Sequence, residues 1–286
     1  MSLDIVGISK NFKKKKALNS VSLHLDKGLY ALLGANGAGK TTLINILVTA
    51  MRPTEGQVLC NGRDIFKNSA EYLGALGFLP QIPKFYGNFT ALEFLRYMGS
   101  LKGVNKTKAE LLALLKKVGL PGEENKKVGA YSGGMLKRLG VAQALLNDPE
   151  IVILDEPTAG LDPKERIRFK NLISEICSDK TVLLATHIVS DVEFIAKSVI
   201  LLDRGTVCRF ASPAALLGEL SGKVFTMEIP LNALEDAMRA FSVSSISAGS
   251  SSYTIRIVSD ARPFHAVPVP PTLDDVFLYF LGDNAV

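Results

Sequence analysis

Short apolar runs punctuated by glycine and proline alternate along this chain with stretches of helical spacing, and that alternation predicts an α/β fold. Residues 3–9 and 21–25 read as strands of an antiparallel N-terminal sheet. The second sets Val21, Leu23 and Leu25 against Ser22, His24 and Asp26, so His24 points outward. Apolar runs at 29–33, 151–154 and 181–185 read as buried strands, residues 76–79 as a shorter one, and 57–60 as a strand entering a tight Asn61-Gly62 turn.

Helical spacing begins at residues 41–50 and is stopped by Arg52-Pro53-Thr54. Thr90 and Glu93 form a capping box before Ala91, Phe94, Leu95 and Met98; a second helix at about 106–118 stops at Gly119 and Pro121. These two make a helical insertion. Tyr131-Ser132-Gly133-Gly134-Met135 opens a helix with the stripe Met135, Leu139, Ala142 and Leu146. Asp162-Pro163 starts another in N-cap and N1 order, with Phe169, Leu172, Ile173 and Ile176 facing the core.

A hairpin at 201–205 and a short helix from Ser212-Pro213 to about Gly218 close the first domain, so the expected division is 1–215 and 216–286. The second part reads as a small α+β unit. It has a strand at 224–229, a helix with Leu234, Ala237, Met238 and Phe241, a serine-rich turn, and a strand alternating Tyr253, Ile255 and Ile257. A proline-rich linker at 263–271 leads to a last helix boxed by Thr272 and Asp275. Its apolar face of Leu273, Val276, Phe277 and Phe280 needs a partner surface, in this chain or another.

The 286 residues suffice for one large domain and an appendage. Residues 1–10 read as a strand rather than a signal, and no apolar run approaches the ~20 residues that span a bilayer. Cys60, Cys177 and Cys208 are too few and too scattered for a metal site or redox pair, which favours reduced cytosolic thiols. The net charge of +5 is densest at Lys13–Lys16, where aromatics for base stacking are absent, so a solvated face is expected and nucleic acid is not.

Candidate chemistry starts at Gly34 to Thr42, GANGAGKTT, which matches the phosphate-binding P-loop. Gly34, Gly37 and Gly39 free the backbone to turn successive N–H groups, Asn36 among them, towards a polyphosphate. Lys40 would reach the β- and γ-phosphates, Thr41 would ligate Mg²⁺, and the helix start adds partial positive charge. Asp155-Glu156 ends the apolar strand at 151–154, which places both acids at the carboxyl edge of the sheet, beside those phosphates. There Asp155 would hold Mg²⁺ through its water shell and Glu156 would act as general base. Thr186-His187 follows the next strand in the same way, so His187 could donate to the γ-phosphate. Gln81 sits in a loop where its amide could contact Mg²⁺ or the attacking water. Phe12, in the loop between the first two strands, could stack on a base or close the core edge. Ser132, Gly133 and Gly134 make a second anion site or a plain N-cap.

The ordered set GANGAGKT, Gln81, YSGGM, IVILDEP, AGLD and His187 resembles the nucleotide-binding subunit of ATP-binding cassette (ABC) transporters, over residues 1 to about 215. The resemblance implies a RecA-like P-loop core with an antiparallel β-subdomain and a helical subdomain at about 85–148. Two such domains would sandwich two ATP molecules. It assigns Phe12 to adenine, Lys40, Thr41 and Thr42 to phosphates and Mg²⁺, Gln81 to the coupling loop, and Ser132 to Gly134 to the nucleotide of a second, identical subunit. Asp162 joins the nucleotide-contacting residues. Met135 stands where the family's signature commonly has glutamine, and Ala159-Gly160 where Ser-Ala is usual; neither changes a phosphate ligand. With the C-terminal PTLDDVFLYFLG, the methionine is similar to bacterial ABC-2-type exporters, whose ATPase and transmembrane permease are often separate chains. That implies a cytoplasmic subunit, peripheral on the inner face of the cell membrane. A soluble ABC ATPase acting on nucleic acid or ribosomes is the alternative.

Overall fold

The computed structural model describes residues 1–13, 15–193 and 195–282; Lys14 of the basic cluster and the last four residues of the appendage, 283–286, lie outside the described residues. In chain order the first half runs β1 (Leu3–Phe12), β2 (Lys15–Leu25), β3 (Gly28–Leu33), α1 (Lys40–Leu47), β4 (Glu55–Cys60), β5 (Arg63–Asp64), α2 (Ser69–Gly74), β6 (Leu76–Leu79), α3 (Ala91–Leu101), α4 (Lys108–Lys117) and α5 (Gly133–Ala144). The second half runs β7 (Ile151–Asp155), α6 (Pro163–Ile176), β8 (Thr181–Thr186), β9 (Ser198–Asp203), β10 (Thr206–Ala211), α7 (Pro213–Glu219), β11 (Val224–Pro230), α8 (Leu234–Ala240), β12 (Ser242–Ala248), β13 (Ser252–Val258), β14 (Val267–Pro268) and α9 (Leu273–Leu281).

The central sheet has the order β10-β9-β3-β8-β7-β6, parallel throughout except for the β9–β10 hairpin. Its strands are apolar on both faces because both are covered. Leu29, Ala31 and Leu33 of β3, Val152 and Leu154 of β7, and Val182 and Leu184 of β8 pack against α3, α5 and α6. The alternate residues Tyr30, Leu32, Ile151, Ile153, Leu183 and Ala185 face α1 and the antiparallel sheet β2-β1-β4-β5. All parallel strands thus end on one edge, where the α/β loops gather.

A third sheet, β12-β13-β11-β14, lies after α7, with its own small core of Phe225, Ile229, Ala237, Ile255, Ile257 and Ala266. The face of α9 finds its partner inside this chain. Leu273, Val276, Phe277, Leu278 and Leu281 are buried in the same core as Leu201 of β9 and Leu216 of α7. Its start is fixed by the predicted box, Thr272 N–H to Asp275 at 2.7 Å, and Asp275 is also held by the Arg256 guanidinium at 2.7 Å.

Several sequence expectations are corrected. The helix expected over 41–50 ends at Leu47, before Arg52-Pro53-Thr54, because Thr49 takes a left-handed φ of 59°. Phe12 is not in a loop but ends β1, paired with Lys15. The serine-rich turn is largely β12, an edge strand with Ser245 and Ser247 exposed, Ser244 turned to Asp275, and its alternation broken by an irregularity between Val243 and Ser245. The linker at 263–271 contributes β14, a two-residue edge strand on which proline is tolerated. Met238 faces solvent rather than a core. Helix α2 gave no signal, since Tyr72 is its one buried residue.

Candidate functional site

Strand β3 runs into the loop at 34–39 and then into α1, whose N-cap Gly39 has no side chain to occupy the free N–H groups of the first turn. Gly37 and Gly39 have φ of 84° and 114°, the left-handed region where a Cβ is strained. Gly34 differs from expectation. Its φ is not left-handed, and glycine is needed there because a Cβ would strike the Leu202 carbonyl at the end of β9.

One cleft of about 260 Å³ is lined by Phe12, Lys15, Ala17, Ala35, Asn36, Gly37, Gly39, Lys40, Thr41, Thr42, Gln81, Asp155 and Glu156. It gathers residues from β1, β2, the glycine loop, the segment after β6 and the end of β7. Lys15 and Ala17 were not foreseen, because they enter through the β1–β2 hairpin, whose register no local pattern reveals. Lys40 is buried, with its ammonium on the Gly34 carbonyl and 3.3 Å from that of Ala35. Burial lowers its pKa, and the charges of Glu156 and Asp155 partly offset that.

Asp155 and Glu156 are 4% and 5% exposed, so they are not surface acids. Burial, reinforced by the Glu156 charge, raises the pKa of Asp155 against the opposing pull of Lys40 and Lys137. Glu156 has a left-handed φ of 46°, uncommon for a residue with a Cβ. Its amide donates to the Ala185 carbonyl at 2.9 Å. Its carboxylate accepts from Thr186 Oγ1 at 3.3 Å and lies 2.9 Å from His187 Nδ1. His187 therefore enters the site through Glu156 and does not line the cleft itself.

Lys137 of α5 is a further residue the sequence pattern missed. It is 9% exposed and donates to the Gln81 carbonyl at 2.7 Å and the Glu156 carbonyl at 3.2 Å. Burial lowers its pKa, and the Asp155 and Glu156 charges raise it in part. It lies off the apolar stripe of α5, and no signal in the sequence points to its burial.

Ser132, Gly133, Gly134 and Asp162 do not line the cleft. Ser132 caps α5 by accepting from Met135 N–H at 3.2 Å, and Asp162 caps α6 by accepting from Glu165 N–H at 2.9 Å. Gly134 abuts α6: a Cβ there would sit 2.8 Å from Glu165 Oε2. His24 is exposed and pairs with Asp4 at 2.6 Å, away from the cleft.

The donor set fits Mg²⁺. Among the described residues no cluster of three or more His, Cys, Asp or Glu could cage a metal alone. A buried carboxylate and a hydroxyl beside a phosphate loop are what Mg²⁺ takes, the remaining ligands being water and phosphate.

A glycine loop feeding a helix, next to an acid-tipped strand of a parallel sheet, defines a P-loop nucleotide-binding protein. The family model described as "ABC transporter" matches residues 18–159. The chain is 32% identical to the Nod factor export ATP-binding protein I of Burkholderia lata over 296 residues, 98% of this chain and 97% of that one. It is 38% identical to the bacitracin transport ATP-binding protein BcrA of Bacillus licheniformis over 201 residues, 69% of this chain and 65% of that one. A dimeric structure of an ATP-binding cassette in a post-hydrolysis state, bound to ADP and Pi, aligns at TM-score 0.67 and 26% identity, covering 74% of this chain and 98% of that one. The present chain belongs to the ABC transporter family, among its ATP-hydrolysing, ATP-binding subunits. The expected family, fold class and ATPase activity agree with these findings.

Proposed function

We propose that this chain is one of two identical ATP-hydrolysing subunits that close on ATP and drive a separate transmembrane permease, in export. The observation that carries the reading is the meeting of Lys40, Thr41, Gln81, Asp155 and Glu156 in one cleft, while Ser132 to Gly134 stay outside it. In this reading a cleft with its own phosphate loop, and a glycine-rich helix start lying outside it, make half of a shared site.

In this reading the N–H groups of the 34–39 loop and Lys40 bind the β- and γ-phosphates, with Thr42 beside them, and Phe12 stacks on the adenine. Mg²⁺, held by Thr41 and Asp155 with Gln81, supplies charge neutralisation on the phosphates. Glu156 takes a proton from the attacking water, and His187 holds its carboxylate in place. Ser132, Gly133 and Gly134 serve the second subunit's nucleotide, and Asp162 is a further nucleotide-binding residue. Residues 1–215 form the cassette, with the helical subdomain at about 85–148 meeting the permease, and 216–286 form the accessory part. No described helix is long and apolar enough to cross a membrane. In this reading the chain is peripheral on the inner face of the cell membrane.

The test is phosphate release by the full chain with membranes holding its permease, and separately with RNA or DNA. Stimulation by the membranes alone supports the reading. Stimulation by nucleic acid alone overturns it in favour of a soluble ABC ATPase.

A further inference from the structure

Helix α5 carries Ser132 as its N-cap and Lys137 little more than one turn later, about 7 Å along its axis. A buried lysine is costly unless its ammonium is hydrogen-bonded. Both hydrogen bonds of Lys137 go to main-chain carbonyls rather than to a carboxylate, and they reach two different elements of the cleft. One is the Gln81 carbonyl at 2.7 Å; the other is the Glu156 carbonyl at 3.2 Å.

Glu156 is the residue that needs holding. Its φ of 46° is a conformation a side-chain-bearing residue keeps only when its surroundings over-determine it. The Ala185 carbonyl fixes its amide, while Ala159 N–H at 3.3 Å and Lys137 fix its carbonyl. Of these, only Lys137 also touches the Gln81 segment, and only Lys137 lies on the helix that begins at Ser132.

We infer that Lys137 is a positioning residue that links the Ser132 end of α5 to the Glu156 turn and the Gln81 loop, so that contact of Ser132–Gly134 with the second subunit's nucleotide sets the geometry for hydrolysis in this subunit's own cleft. The inference rests on the proposed function and adds the route by which each half-site senses the other. Lys137 is not among the residues that line the cleft; it acts through the peptide groups it holds.

The test compares the full-length chain with Lys137→Met, which keeps length and loses the donors, and Lys137→Arg, which keeps charge and donors. Each is assayed for kcat and KM of ATP hydrolysis per folded molecule, for binding of a fluorescent ATP analogue, and for ATP-dependent dimerisation by sizing. Lys137→Met is expected to bind nucleotide and dimerise like wild type while kcat falls about 10²-fold, the scale of a misplaced catalytic group. Lys137→Arg is expected to recover most of that loss. A role confined to stability would lower the melting temperature and leave kcat of the folded molecules unchanged, and that result overturns the inference. So does loss of binding and turnover together in a folded Met variant. If Lys137→Met does not fold, Lys137→Gln, with one amide donor, carries the same comparison. A wild type that neither hydrolyses ATP nor dimerises defeats the proposed function instead, so the two failures are distinct.

Discussion

His187 Nδ1 lies 2.9 Å from Oε1 and 3.0 Å from Oε2 of Glu156, straddling the carboxylate at the end of β7. An ionised carboxylate only accepts, so Nδ1 carries the hydrogen in this contact. The same contact orients the glutamate, in the way a histidine and its carboxylate partner fix one another in many active sites. His187→Ala is expected to lower kcat about 10²-fold with little change in ATP affinity, measured by phosphate release alongside nucleotide binding. A variant that lost affinity and kept kcat would place His187 on the nucleotide alone.

Glu156→Gln keeps the shape of the turn and removes the base. Turnover is expected to fall by about 10² to 10⁴, with an ATP-bound dimer persisting on a sizing column. A monomer under those conditions would count heavily against paired subunits.

Phe12 ends β1 at the rim of the cleft, 42% exposed, with the Lys10 ammonium 5.4 Å from its ring centroid. Base stacking on an aromatic contributes about 1–3 kcal/mol, so Phe12→Ala should raise KM for ATP about tenfold or more at nearly constant kcat. Unchanged KM would leave the ring as a rim residue only.

Asp275 predicts a response to acid. It is fully buried, and burial alone would raise its pKa. The Arg256 guanidinium, Ser244 and the Thr272 cap outweigh that and hold it below the ordinary value of 3.8. A depressed folded pKa stabilises the fold above 3.8 and loses that contribution as pH falls through the lower folded value. Docking of α9 should therefore weaken below about pH 4, measured by thermal melts across pH. Asp275→Ala, which leaves the partly exposed Arg256 with only the Pro270 carbonyl, should cost about 3 kcal/mol at most at neutral pH.

Local chemistry made much of this molecule legible. The P-loop, the acid pair after 151–154, and the capping boxes at Thr90 and Thr272 each carry their signal within a few residues, and the structure has the elements they announce. What stayed hidden depends on distant register. Lys15 reaches the cleft only through the β1–β2 hairpin, Lys137 is buried by loops about 20 and 56 residues away, and β12 is a strand because β13 pairs with it despite its serines. Phe12 lines the cleft from the end of β1 rather than from a loop, since the hairpin is longer than its apolar alternation.

The docking of α9 carries a consequence for how the protein is made. Leu273, Val276 and Leu281 fill a core that Leu201 and Leu216 begin, so the apolar surface around β9 and α7 stays open during synthesis until residue 281 has left the ribosome. A chain stopped short of α9 would carry that surface into the cell uncovered and invite chaperones and proteases. Docking of α9 thereby closes an apolar surface that β9 and α7 on their own leave open.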